Sequence, residues 1–517
     1  MNVLILLENK KFKKWHLNCL EVLKENKNKV FFYNFTVKKK IKINNLFYYL
    51  FKFINKPKTE NNNYNKIVNT HKVYNEVINN NTENAFVFSK EFNKFCKKKK
   101  IELIIRFGLG IIKTNLGTPI MSFHHGDPKK YRGRPSGFYE IANKEKTQGQ
   151  VVQILTSKLD AGKVLSYGET KVCKESYKKT LFNSYSISHL LLKKALISFK
   201  KKKYISNNNL GKIYKIPSNY SFLIFLVSYI FNKIEILLDK LFFHKKWNLK
   251  KVNFSKIKNI KHIKKTINKL DKFQIKNSAN LLADPFFHKN KIICEYTNAF
   301  SQKGKLAIID NDKLKILNNI NNHISFPSAF HLKEKNLDLI FPETASWQEP
   351  SLFRLSGKNL NIYKKLKLDK KRFLLDPIIF KSKGYFYLFG NDRKLPNVLF
   401  LWISKSLNTS FKLHPSSPII ISPVGSRMAG QIINIKNKIY RVSQDNSSKY
   451  GNGIIFYKII KISKNQYKEV FDNKLNFKDK FGPHTLSINY DQKIIVTDYY
   501  KEKFSIISAF VKLNPFW

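Results

Sequence analysis

The sequence predicts a multidomain chain of α/β plus all-β class: a parallel-sheet α/β domain, a helical linker and a five-bladed β-propeller. Three observations predict it. Up to about residue 200, short apolar runs alternate with amphipathic stretches, the texture of a parallel sheet with crossover helices. From about residue 281 to 500, short β-type runs follow one another, divided by Asn, Asp, Gly and Lys turns. Within that half, one phrase recurs about every 45–50 residues, the length of a four-stranded propeller blade.

The elements follow in order. Val3–Leu7 is an apolar run with no basic region before it and no small-residue cleavage site after it, so it predicts a first strand rather than a signal peptide. Trp15–Lys24 has helical spacing, and Val30–Tyr33 and Leu103–Phe107 predict further strands. Ligands of such a sheet belong on loops at the carboxyl ends of the strands. These elements make a first domain of residues 1–200. Residues 201–246 predict a basic helical linker, with Asn219–Phe243 a long helix bearing an apolar face. Its apolar stretch Phe222–Phe231 is about half the roughly 20 residues that cross a bilayer, so no span is expected. Residues 247–517 predict the propeller, with strands such as Lys291–Tyr296, Leu306–Ile309, Val398–Ser404, Ile454–Ile460 and Ile494–Asp498. The recurring phrase is Ala283-Asp-Pro-Phe-Phe287, Ser325-Phe-Pro-Ser-Ala-Phe330, Leu375-Asp-Pro-Ile-Ile-Phe380 and Met428-Ala-Gly-Gln-Ile-Ile433.

Composition narrows the function classes. Hydrophobic residues make up 43% of 517 and aromatics 14%, which excludes a disordered chain. The net charge of +61 invites anionic partners, but Lys and Asn are spread through every segment rather than gathered on one face. Nucleic acid is therefore not an expected partner, and peripheral contact with an anionic membrane surface stands only as an alternative. Cys19, Cys96, Cys173 and Cys294 stand far apart and form no CxxC, so neither a zinc site nor a disulfide framework is indicated. A reducing, cytoplasmic location fits, at the inner face of a membrane where peripheral, and no metal is expected.

The densest chemistry lies in Met121-Ser-Phe-His-His-Gly-Asp-Pro-Lys-Lys-Tyr-Arg-Gly133, which follows a predicted strand and puts two histidines and an acid in four residues. Further on come Thr147-Gln-Gly149 and Leu159-Asp-Ala-Gly162. A histidine at a strand end with a carboxylate across the next strand is an acid–base pair in outline. In this order, His124, Tyr131-Arg132-Gly133, Thr147, Gly149 and Leu159-Asp160-Ala161-Gly162 resemble the signature of the folate-dependent formyltransferases, sugar N-formyltransferases among them, over residues 1–200. The resemblance implies a Rossmann-like formyltransferase fold, 10-formyltetrahydrofolate as formyl donor, and His124, Asp160 and Ser122 as catalytic groups. His124, supported by Asp160, would face the developing oxyanion, and Asp160 would take up the amine proton. Ser122 stands where the family has Asn, and His125-Gly126 replaces its Pro-Ser. Arg106, Phe107, Gly108, Leu109 and Gly110 fall where the family lines its folate pocket; His125, Asp127, Tyr131, Arg132 and Gly133 fall where substrate would bind.

The second half carries Ala283-Asp284-Pro285-Phe286, Phe341-Pro-Glu343-Thr344, Leu375-Asp376-Pro377, Arg427-Met-Ala-Gly430, Ser443-Gln444-Asp445-Asn446 and Gly482-Pro-His484-Thr485 at blade spacing. These phrases resemble the propeller-like domain of glucosamine inositolphosphorylceramide transferase-type proteins, itself similar to family-43 glycoside hydrolases. Propeller axes collect polar residues from the innermost strands, so Asp284, Glu343 and Asp376 predict a three-acid funnel, with Gln444, Asp445 and His484 as hydrogen-bonding groups. The leading expectation is an N-formyltransferase that moves a formyl group to the amine of a nucleotide-linked or glycan-bound amino sugar in surface-polysaccharide or glycolipid synthesis. Two alternatives stand beside it: a glycosyltransferase or glycosidase working through the propeller beside a degenerate formyltransferase domain, and a noncatalytic glycan- or membrane-surface-binding protein.

Overall fold

Seven strands form the sheet of the first unit, in the order Lys163–Lys171, Thr147–Ile154, Ile120–His124, Leu103–Arg106, Asn2–Glu8, Lys29–Val37, Val73–Ile78. Asn2–Glu8 lies in the middle, and Val3–Leu7 have almost no exposure, as a strand covered on both faces requires. From Ile120–His124 to Val73–Ile78 every neighbour runs parallel. The first two strands of the order pair antiparallel with each other and with Ile120–His124, which the predicted all-parallel alternation did not foresee. In the computed structural model all residues are described except 38–41, 79–84, 109–110, 113–116, 157, 207–208, 269–279, 299–302, 312, 318 and 514–517.

The chain divides into two compact units, Met1–Glu235 and Ile236–Trp517. The stretch 201–246 holds more than a connecting helix. Lys212–Tyr214 pairs in parallel with Tyr131–Gly133. There Gly133 adopts φ +86, and a Cβ on it would fall 2.2 Å from the Tyr214 carbonyl oxygen, so only glycine admits this pairing. The helix predicted over 219–243 runs from Asn219 to Phe242. It is 24 residues long and holds an 18-residue window of mean hydropathy 1.8, enough by length and composition alone to cross a membrane, so the length argument against a span does not hold. Counting the run Phe222–Phe231 alone overlooked Ile234 and Ile236–Leu238 in the turns that follow it.

The second unit is built from five antiparallel sheets, the arrangement of a five-bladed propeller. The first three open with Asn280–His288, Ser325–Leu332 and Leu374–Ser382, and the fourth with Val424–Met428. The last sheet joins Leu486–Asn489 and Ile494–Phe504 to Phe243–Asn253 from the start of the unit, so the ring closes by pairing its two chain ends. The recurring phrase proves to be structural: each copy marks a register shift in the innermost strand, at Ala283/Phe286, Ser325/Ser328, Leu375/Ile378 and Val424/Met428. At these bulges Asp284, Phe326 and Asp376 take positive φ. Such a bulge adds a residue to one strand and re-aims its side chain. Asp tolerates the left-handed region better than most residues, which accounts for the Asp-Pro pairs lying inside strands. Between the blades Phe286, Ile340, Tyr387 and Leu401 belong to one buried apolar cluster. All four cysteines are buried and unpaired.

Candidate functional site

In the first unit the expected pair comes together. His124 ends the strand Ile120–His124, and Asp160 sits in the turn before Lys163–Lys171 with φ +46. His124 Nδ1 lies 3.5 Å from Asp160 Oδ2, both side chains being largely buried. The remaining contacts depart from the expected roles. His124 Nε2 donates to the Tyr131 carbonyl oxygen at 2.7 Å, so the ring has one nitrogen on the backbone and the other toward Asp160. Asp160 Oδ2 also accepts the Gly133 N–H at 2.8 Å. The Ser122 hydroxyl accepts from Arg106 Nε at 3.1 Å and lies 3.4 Å from the Phe123 carbonyl, so it is occupied within the fold.

The residues assigned to substrate also make internal contacts. Burial, with the charges of His124 and Lys13 nearby, pushes His125 down to about 3; its ring meets Trp15, Phe123 and Tyr185, and Nε2 faces Ser188 Oγ. His125 is thus held neutral among these rings; it is half-buried and lines both cavities at the strand end. Asp127 caps its own turn by accepting the Lys129 N–H, Tyr131 donates to Glu145, and Arg132 donates to the Gly211 and Leu159 carbonyls. Two cavities flank the strand end. One of about 180 Å³ is lined by His124, Tyr131, Arg132, Gly133, Arg134 and Glu140 among others. The other, about 190 Å³, lies among Lys13, Trp15, Arg106, Phe107, Gly108, Ser122 and Tyr185. Leu109 and Gly110 lie outside the described residues. Trp15 packs edge-on against Phe107 and stacks on Tyr185, so rings line the expected folate pocket.

At the centre of the second unit, five of the six predicted funnel residues join one connected cluster. Arg427 Nε lies 2.5 Å from Asp376 Oδ2 and its Nη2 3.6 Å from Glu343 Oε2. Gln444 Nε2 donates to the same Asp376 oxygen at 2.7 Å, and the Asp376 N–H donates to Glu343 at 3.0 Å. Beside them His484 Nδ1 lies 3.2 Å from Asp284 and 3.3 Å from Asp498, and the Thr485 hydroxyl donates to Asp284. Glu295 is close enough to Asp284 and Glu343 that burial and their charges push its carboxyl well up. Asp445 is the exception: it ion-pairs with Lys474 on Tyr467–Leu475, two strands away in its sheet, and caps the Ser447 turn. Side chains alternate along a strand, so with Gln444 directed inward its neighbour points the other way.

The electrostatics follow from burial. Glu343 is pushed up to about 8 by burial and by Asp376, against the pull of Arg427, so its carboxyl holds a proton at neutral pH. Burial would lower His484, but Asp498 and Asp284 hold it up at about 10, a cation between two carboxylates. The donor atoms of Asp284, His484 and Asp498 lie within 4.8 Å of one another, a spacing that could equally hold a metal ion. His484 Nε2 is buried and finds no partner among the described residues, and the Trp247 and Tyr450 rings stand 5.0 and 4.8 Å from its imidazole. Gly451, at φ +69, brings its backbone against both Trp247 and His484, where a Cβ would sit 3.0 Å from the indole. Sequence reasoning passed over Arg427, Asp498, Glu295 and Trp247 as site residues. Arg427 opens one of the recurring phrases and Asp498 closes an apolar strand, so both carried a positional signal.

The fold and clusters define a two-unit chain: an α/β region on a mostly parallel seven-stranded sheet, followed by a five-bladed propeller with a buried acidic centre. Residues 266–484, which hold Asp284, Glu343, Asp376, Arg427, Gln444 and His484, match the family described as "Glucosamine inositolphosphorylceramide transferase 1, N-terminal". The chain is 31% identical over 156 residues to glucosamine inositolphosphorylceramide transferase 1 of Oryza sativa subsp. japonica, covering 29% of this chain and 20% of that protein. It is 30% identical over 155 residues to the protein of the same name from Arabidopsis thaliana, with the same coverage. The chain thus spans about a fifth of the length of these relatives. Solved structures with similarity include a sugar N-formyltransferase from a Shewanella species, at TM-score 0.28 and 11% identity, covering 41% of this chain and 76% of that one. Another is a phosphoribosylglycinamide formyltransferase from Campylobacter jejuni, at TM-score 0.27 and 15% identity, covering 39% and 100%.

Proposed function

We propose that this chain is a carbohydrate-active enzyme whose propeller centre makes or breaks a glycosidic bond on an amino-sugar-containing glycan or glycolipid. The observation that carries this reading is a protonated Glu343 held against Arg427 and Asp376 in a buried acidic centre, an arrangement that supplies the acid which glycosidic chemistry uses. Glu343 donates its proton to the departing glycosidic oxygen as the bond to the anomeric carbon breaks. Asp284 either deprotonates the incoming hydroxyl or attacks the anomeric carbon itself. Asp376, held by Arg427 and Gln444, positions Glu343 and keeps its proton in place. The Trp247 and Tyr450 rings offer flat apolar faces to a sugar, and His484 Nε2 offers a donor to one of its hydroxyls. The name of the plant relatives supports a glucosamine-bearing lipid or glycan as the first class to try.

The test is turnover by the purified chain of nitrophenyl glycosides, nucleotide sugars and glucosamine-containing glycolipids, with products followed by mass spectrometry. Glu343→Gln should lower turnover about 10²–10⁴-fold while the fold is retained. Undiminished turnover by the folded variant would refute the assignment.

A second reading, N-formyl transfer to an amino sugar, is favoured by the 3.5 Å apposition of His124 and Asp160. Calorimetric titration with 10-formyltetrahydrofolate tests it: saturable binding that His124→Asn or Asp160→Asn alters supports this reading. A folded chain that takes up no folate removes it.

A further inference from the structure

The helix Asn219–Phe242 is docked along one side only. Phe222, Phe225, Tyr229 and Asn232, spaced three or four apart, are its buried residues. The Phe225 ring lies 4.2 Å from Phe138, and Phe51 meets Phe222 at 5.3 Å and Tyr229 at 5.5 Å. The Tyr229 hydroxyl also accepts the Tyr177 N–H at 3.1 Å. Away from that side Tyr220, Leu223, Ile224, Val227 and Phe231 are exposed, Phe231 by 67%. No charged residue occurs between Asn219 and Asn232.

A second apolar helix, Leu46–Ile54, is tied to the start of the first. The Phe47 N–H donates to Asn219 Oδ1, Asn219 Nδ2 donates to the Ile43 carbonyl, and Asn45 Nδ2 donates to the Pro217 carbonyl. Around this helix Ile43, Leu50, Phe53 and Ile54 are exposed, Phe53 by 80%. The two helices form one apolar surface within the first unit, the kind of patch that soluble monomers rarely leave open. Lys42, Lys56, Lys212 and Lys215, all exposed, lie on the segments that flank it. The nearby Glu60 is buried and paired with Lys13, leaving the flanking charge positive.

We propose that this helix pair seats the protein in the surface of an anionic bilayer, its apolar faces among the acyl chains and its flanking lysines at the phosphate headgroups. Positive charge around an apolar surface is complementary to anionic lipid. The same charge disfavours a second copy of the chain as occupant, because a symmetric pairing would bring like lysines together. The helix lies in the plane of the surface: crossing the bilayer would strip Phe222, Phe225 and Tyr229 from Phe51 and Phe138.

Vesicle flotation of the full-length chain tests this, with phosphatidylcholine vesicles containing 30% phosphatidylserine against phosphatidylcholine alone. The wild type should float with the anionic vesicles, and Phe53→Asp with Ile224→Asp should weaken that binding at least tenfold at an unchanged thermal midpoint. Lys42→Glu, Lys56→Glu, Lys212→Glu and Lys215→Glu together should weaken binding to the anionic vesicles, and this variant decides the matter if the first does not fold. Absence of flotation, or equal flotation by the apolar variant, would overturn the proposal. So would a dimer that the apolar substitutions dissociate while flotation is unchanged. Resistance of the expressed chain to an alkaline carbonate wash would replace the surface-lying helix with a spanning one.

Discussion

Replacing Arg427 by Met removes the cation that ties two carboxyls of the propeller centre together. Arg427 is 2.5 Å from Asp376 and 3.6 Å from Glu343, with 13% of its side chain exposed and only 2% of that of Asp376. Two unit charges about 4 Å apart at an effective dielectric constant near 20 attract by about 4 kcal/mol, and cutting one partner from a buried pair costs about 3–5 kcal/mol. The variant is therefore expected to lose about 3–5 kcal/mol at pH 7. Protonation offers the orphaned carboxylate an escape worth about 1.4 kcal/mol per pH unit, so the loss should shrink toward pH 5. Adding Asp376→Asn should restore much of the stability, because the buried charge is then gone. Urea unfolding followed by tryptophan emission measures this, since of the five tryptophans only Trp15 lies outside the C-terminal unit. A loss under about 1 kcal/mol at pH 7, or a double variant no more stable than the single one, would refute the argument that these charges share a water-poor centre.

Glu343 must be protonated to act as acid, so glycosidic turnover should fall as pH rises through about 8, and that alkaline limb should vanish from the residual activity of Glu343→Gln. Glu140, buried with Oε1 finding no partner among the described residues, is pushed up to about 8 by burial. A raised carboxyl binds its proton more tightly in the folded state, so stability is fully present below about 4.5 and falls as pH climbs to about 8, by up to about 1.4 kcal/mol per unit. Glu140→Gln should flatten that slope in denaturant titrations across the same window. Gly133→Ala would force a left-handed alanine against the Tyr214 carbonyl and should cost about 1–3 kcal/mol, read from the melting of the first unit. Ser122→Ala, which removes the acceptor of the Arg106 bond, should cost about 1–3 kcal/mol by the same measurement.

Much of the architecture was legible because its signals are local. The strand Val398–Ser404 has the ends its apolar run predicts, and Trp15–Lys24 grows by one residue at each end to Lys14–Glu25. The recurring Asp-Pro phrases located the innermost strands because a bulge has a local residue requirement, which Asp meets at positive φ. The direction of the strands Thr147–Ile154 and Lys163–Lys171 was not legible, since an apolar run reads alike whichever way its neighbour runs. The neutral state of His125 was not legible, since the rings packed on it, Trp15 and Tyr185, come from positions 110 residues before and 60 after it. Asp445 was read as a hydrogen-bonding group of the funnel; alternation along its strand and the reach of Lys474 decided otherwise.

Alone, the sequence determined the succession of a parallel-sheet half and a repeating antiparallel half, the positions of the inward acids, and the pairing of His124 with Asp160. Period, turn chemistry and motif order are properties of neighbouring residues. Tertiary structure decided which charges face each other. The Asp284 N–H meets Asp498 across 214 positions, and Arg427 reaches Asp376 across 51, only because the ring of blades closes on itself. It also decided that Glu343 holds its proton, because a carboxyl's affinity for a proton depends on how much water and how many like charges the assembled centre leaves beside it.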